Sequence, residues 1–168
     1  AGDVDLALGF MPQLDAGFYQ QSLFRRHYVC LASAERPRLR DGLSLAQFEA
    51  EDHAVVTTSG TGHLYIDREV LRQKIMRKVA LRIPNFIGVS FVIEQTDLLV
   101  IVPSRFGEML AERGRVRCYP VPFALPRYAV KQHWHGRFHH EPGNRWLRSV
   151  IRELHGERSG DEELMPAA

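Results

Sequence analysis

The sequence predicts an α/β fold, with strands and helices alternating and a largely parallel sheet carrying helices on its faces. Three observations predict it. Short apolar runs of strand length recur through the middle of the chain, at 53–58, 78–83 and 98–102. Stretches with helical spacing of apolar residues separate and follow them, and turns rich in Gly, Pro or Ser mark the changes. Such alternation is the pattern of βαβ units. The chain has 168 residues, 45% hydrophobic and 25% charged. That balance suits a globular chain of one ordinary domain or two small lobes.

Asp3-Val4-Asp5-Leu6-Ala7-Leu8-Gly9 reads as a short buried strand ending in a glycine turn. A buried strand at the very start needs neighbours on both sides, so upstream structure is expected and the chain, which does not begin with Met, reads as a fragment. Residues 24–32 form a second strand, and Pro37 to Gly42 is a turn. Ser44 with Gln47 three residues on makes a capping box for a short helix through Phe48. Residues 53–58 are a strand, turned by Ser59-Gly60-Thr61-Gly62 into a helix over 63–76. Ile66, Val70 and Ile75 of that helix face inward, and Arg68, Arg72 and Lys74 outward.

Lys78 to Ile83 alternates so that Val79, Leu81 and Ile83 share a side, and Pro84 ends the strand. Asn85 caps a helix bearing Phe86, Ile87, Val89, Phe91, Val92 and Ile93, apolar nearly all round and therefore expected to be buried. Leu98 to Val102 is a fully apolar strand. Pro103 opens a helix through Phe106, Met109 and Leu110 to a stop at Gly114. Strands at 116–121 and 127–134 flank a Pro-rich bend. A last helix over 142–155 carries Trp146, Leu147, Val150, Ile151 and Leu154 on one stripe, and residues 157–168 read as a loose, flexible tail.

Lys and Arg total 22 against 20 Asp and Glu, a net charge of +2. Acids and apolar residues interrupt the densest basic stretch, Arg68 to Arg82, which reads as a solvated helix face and a strand rather than a DNA contact surface. Cys30 and Cys118 sit in apolar, strand-like surroundings, as free buried thiols of a reducing cytosol do. No apolar run approaches the roughly 20 residues that cross a bilayer, and no signal peptide opens the chain. A cytoplasmic location is expected.

Four groups of residues invite chemistry. Ser59-Gly60-Thr61-Gly62-His63 follows a strand and opens a helix, whose unpaired N–H groups and partial positive charge can hold a carboxylate or phenolate; the alternative is a plain turn. It lacks the Gly-Lys-Ser/Thr of a Walker motif, and no cofactor is expected. His133, His135, His139 and His140 offer a metal reading, but match no standard zinc spacing and suit surface histidines beside a helix start. Neither cysteine sits in a recognisable nucleophile signature, and Gly-x-Ser-x-Gly is absent. Arg25-Arg26-His27 is either a solvated strand edge or part of a wall for an anionic ligand.

Several stretches carry a resemblance. Gly2-Asp3-Val4-Asp5-Leu6-Ala7-Leu8-Gly9, Leu23 to Cys30, and Thr96 to Phe106 resemble, in order, segments of the sensing domain of LysR-type transcriptional regulators. Trp134-His135 followed by Pro142-Gly143-Asn144-Arg145-Trp146-Leu147-Arg148 is the most specific match, to the branch of salicylate, nitroaromatic, chlorinated-aromatic and flavonoid sensors. The likeness spans residues 1–155.

The resemblance implies a two-lobed fold like a type 2 periplasmic binding protein, its first lobe incomplete at the N-terminus. Residues 1–24 and 129–156 would form the first lobe and residues 25–128 the second, with the inducer in the cleft. His63 matches a pocket histidine of those relatives. Arg26 stands where they place another histidine, and its permanent charge would favour an acidic or phenolate inducer. Val130 falls at an apolar pocket position; Thr61, Phe86 and Ile87 are expected lining. The resemblance further implies a homo-oligomer, promoter DNA bound only through an absent helix-turn-helix domain, and no enzymatic activity. Two other classes stay open: a transport receptor of the same architecture, and a metal-dependent enzyme using the histidine cluster.

Overall fold

A computed structural model of the chain describes residues 4–11, 14, 17–39, 41–57 and 62–156, the side chains of 62 and 63 excepted. The tail over 157–168 lies outside them. In chain order the elements are β1 (Ala7–Gly9), β2 (Phe18–Arg26), β3 (Tyr28–Ser33), α1 (Leu45–Ala50), β4 (Asp52–Val56), α2 (Gly62–Arg72), β5 (Lys78–Ile83), α3 (Val89–Gln95), β6 (Leu99–Pro103), α4 (Ser104–Ala111), β7 (Val116–Pro120), β8 (Tyr128–His135) and α5 (Pro142–His155). The chain divides into two compact units, Arg26–Arg127 and Ala1–Arg25 with Tyr128–Ala168.

The larger unit is built on a five-stranded sheet of order β5-β4-β6-β3-β7. β4 is parallel to β5 and β6, whereas β3 is antiparallel to β6 and β7. Four strands therefore point one way, joined by helical crossovers, and β3 alone runs against them. The expected largely parallel sheet is thus mixed. Periodicity marks where a strand lies and not its direction, and β3 enters before the first crossover.

Alternation along the strands divides the core in two. Val29, Leu31, Ala54, Val56, Val100 and Val102 meet Val89 and Ile93 of α3 and Leu110 of α4 on one face. On the other, Val55 and Ile101 meet Ile66 of α2 around a void of about 20 Å³, and His53 packs on Phe48 of α1. α1 has only six residues, too few to persist alone. Its Ser44–Gln47 capping box forms as the sequence predicts, and Phe48 is fully buried. A cap is worth about 1 kcal/mol and such a burial about 1.5–3 kcal/mol. α4 lies so close to β3 and β7 that a Cβ on Gly107 would sit 2.6 Å from Val29 Cγ2 and 3.2 Å from Cys118 Sγ.

Some boundaries differ from the sequence reading. α2 stops at Arg72 rather than residue 76, because Lys74 takes a left-handed conformation (φ 57°) and Ile75 N–H bonds back to Val70 O. α3 begins at Val89, not Asn85, and is not buried all round: Ile87 is 81% and Phe91 67% exposed. The second strand divides at His27, and its first half reaches back to Phe18 through polar residues that gave no apolar alternation.

The smaller unit holds a three-stranded sheet of order β1-β8-β2. Among the described residues β1 lies at one edge of this sheet, antiparallel to β8, with Ala7 opposite His133. α5 spans 142–155 as the sequence predicts, capped by the Glu141 carboxylate, which accepts from the N–H groups of Gly143 and Asn144. The side chains it buries are polar. Asn144 donates to Asp5 O, Arg148 lies 4.0 Å from the Trp134 ring centre and donates to His139 O, and Gln132 donates to Arg148 O and Gln21 Oε1. Of the apolar stripe, Trp146, Leu147 and Leu154 remain exposed.

Candidate functional site

One end of the five-stranded sheet gathers most of the residues singled out in the sequence. β4, β5, β6 and β7 point the same way, so their carboxyl ends lie along one edge. Because β3 runs against them, its first residue, Tyr28, pairs with the last residue of β6, Pro103. Arg26 and His27 therefore precede β3 at the edge where β4 leaves toward α2 and where Phe86 and Ile87 follow β5. Ser104 N–H donates to His27 O at 3.0 Å, which ties the start of β3 to the end of β6.

β4 exits toward α2 on one face of the sheet, and β6 exits into α4 on the other. Adjacent strands whose connections leave on opposite faces form a topological switch point, and ligands of open α/β sheets bind outside the carboxyl ends of strands at such points. Here that point lies between β4 and β6. The start of α2 adds oriented backbone N–H groups and a partial positive charge.

Arg26 closes β2 half-buried. His63 is the second residue of α2, and Thr61 lies outside the described residues. Phe86 packs on Phe106, with ring centres 5.3 Å apart, and on the core beneath α3, whereas Ile87 beside it is exposed. Val130 belongs to the smaller unit, half-buried in β8. Ser104, buried at the switch point, was missed by the sequence reading; Pro103-Ser104 directly after a fully apolar strand was its signal.

The histidine cluster serves packing. His133 is buried rather than on the surface, with Nε2 3.4 Å from Gly9 O, and burial lowers its pKa. His139 stacks on Tyr19 at 4.0 Å and its Nδ1 accepts from Trp134 Nε1 at 3.3 Å. Cys30 and Cys118 are free thiols; burial, then the neighbouring Cys118, pushes Cys30 up to about 12, which makes it a poor nucleophile. Among the described residues no helix is long and apolar enough to cross a membrane.

The model of the LysR substrate binding domain matches residues 1–156. The chain belongs to that family. Its folded units are those of a LysR regulatory domain, with the architecture of a type 2 periplasmic binding protein, and the family consists of transcriptional regulators rather than enzymes. The chain is 37% identical to the transcriptional activator NahR of Pseudomonas putida over 91% of its own length and 51% of the relative's. Against NagR of a Ralstonia species it is 38% identical, covering 94% and 52%. It thus spans about half the length of these curated relatives. The crystal structure of a probable transcriptional regulator from Pseudomonas aeruginosa matches with a TM-score of 0.80 at 31% identity, covering 90% of this chain and 50% of that one. The regulatory domain of MexT, a transcriptional activator of Pseudomonas aeruginosa, matches with a TM-score of 0.76 at 26% identity, covering 90% and 75%. The transport-receptor reading finds no support among these relatives.

Proposed function

We propose that this LysR substrate-binding domain senses a small aromatic or phenolic effector and passes its binding to transcription. The observation that carries this is the convergence of Arg26, the start of α2 with His63, and Ile87 on the carboxyl edge of the larger sheet, at its switch point. Arg26 and His63 hold the anionic group, and Phe86 and Ile87 contact the ring. The likeness of Trp134-His135 and Pro142 to Arg148 to aromatic-sensing regulators supports the aromatic class, and the relatives NahR and NagR, both transcriptional activators, support the role in transcription. Binding shifts the populations of regulator conformations in a cytoplasmic homo-oligomer, which reaches promoter DNA through a domain beyond this chain.

The test is calorimetric titration of the longer regulator with salicylate, chlorophenols, hydroquinones and a flavonoid, beside Arg26→Ala and His63→Ala. One class should bind saturably, each substitution weakening it at least about tenfold, roughly 1.4 kcal/mol. Binding unchanged by both substitutions overturns the site. Binding of none of the four overturns the ligand class.

A further inference from the structure

The larger unit seats its helices unequally. On one face α3 and α4 pack closely on the sheet through Val89, Ile93 and Leu110 and through Gly107, where no side chain intervenes. On the other face, α2 buries only Ile66 and Val70 among its described side chains, four residues apart, and leaves Leu64 and Leu71 exposed. Beneath α2 lies the void of about 20 Å³, bordered by Val55, Ile66 and Ile101 and by two charged side chains, Asp67 and Arg77. Arg77 stands in the link between α2 and β5. Its side chain is mostly buried, and its Nη2 donates to Oδ1 of the partly buried Asp67.

An ion pair in such a place is a poor source of stability, because taking both charges out of water often costs as much as their attraction returns. What it has that apolar contact lacks is direction. Two apolar residues beside a void let a helix slide and turn at little cost, whereas a hydrogen-bonded pair fixes its register. The link is itself held: Met76 N–H donates to Glu49 Oε1 of α1 at 3.0 Å, and Gln73 Nε2 to Ala124 O at 2.6 Å. Arg77 thus reaches α2 from a tethered base. We propose that Asp67 and Arg77 are positioning residues, which fix where α2 sits on the sheet and so where its first amide groups lie for the anionic group of an effector. The second half of this rests on the reading that the start of α2 belongs to the effector site; the seating of the helix is measurable with no effector present.

The experiment is amide hydrogen exchange on the longer regulator without effector. The parent is compared with the double variant Asp67→Asn with Arg77→Met, which removes both charges and keeps most of the side-chain volume. Amides of α2 should exchange at least about fivefold faster in the variant and those of α4 at the parent rate, with no fall in the urea midpoint. Arg77→Lys, which keeps a cation opposite Asp67, should exchange as the parent does. Salicylate should bind the double variant at least about fivefold more weakly than the parent. Unchanged exchange in α2 overturns the proposal, as does Arg77→Lys exchanging as fast as the double variant. Faster exchange in α2 and α4 alike with a lower urea midpoint also overturns it, and assigns the pair to stability. Equal salicylate affinity overturns the link to the effector site. A parent that binds no salicylate counts against that ligand alone, and the exchange result then decides the seating of α2 by itself.

Discussion

Single side chains in the larger unit are held by contacts far apart in sequence. Arg36 is buried, pairs with Glu51, donates to Asp97 O and lies 3.5 Å from the exposed Asp97 carboxylate. Arg36→Met leaves Glu51 unpaired in a mostly buried position, and the urea midpoint should report a loss of about 3 kcal/mol. Gly107→Ala forces a methyl into Val29 and Cys118, so the same measurement should show a loss of about 1–3 kcal/mol. His53 and His133 are both lowered from their ordinary 6.5, first by burial. The unfolded chain therefore takes up protons near pH 6.5 that the folded chain refuses. Stability is full above that pH and falls as pH drops, until the lowered folded values are reached. Urea midpoints measured from pH 8 to 5 should show the fall, and His53→Gln should reduce its steepness.

At the level of elements, the decisive features are where helices stop and what they cover. Lys74 ends α2 in a left-handed conformation that a Cβ disfavours. Lys74→Gly should therefore stabilise by about 0.5–1 kcal/mol, read as a higher thermal midpoint, because relief of strain exceeds the added unfolded-state entropy of glycine. The capping box of α1 and the span of α5 were legible because caps act within three residues of the helix start. The end of α2 was not, since Lys74 is not the glycine that usually marks a left-handed stop. The stripe of α5 misled for another reason. Its apolar residues suggest a buried face, yet Asn144 and Arg148 are what it buries, Asn144 donating to Asp5 O and Arg148 packing on Trp134 of β8.

For the whole molecule, net charge and pairing decide which partners are available. The charge is +2, and Arg36, Arg72, Arg77, Lys78, Arg105 and Arg115 each have an acidic partner. In gel-shift assays this chain alone should show no sequence-selective DNA binding, any weak retention vanishing with moderate salt. Selective binding by residues 1–168 alone would reverse that assignment of roles within the regulator.

The sequence by itself determined the α/β class, the two flanks of each crossover, the capping box and the span of α5. These follow from spacing and local hydrogen bonding, which neighbouring residues carry. It also marked Arg26 and His63 as candidates, by residue type and by resemblance, and Phe86 and Ile87 by spacing and chemistry. Only the tertiary structure decided that β3 runs against its neighbours, that His27 and Ser104 meet, and that a switch point lies between β4 and β6. It also decided that Asp67 and Arg77 meet beneath α2. Strand direction and order depend on pairings between residues tens of positions apart, and no local pattern records which strands will meet.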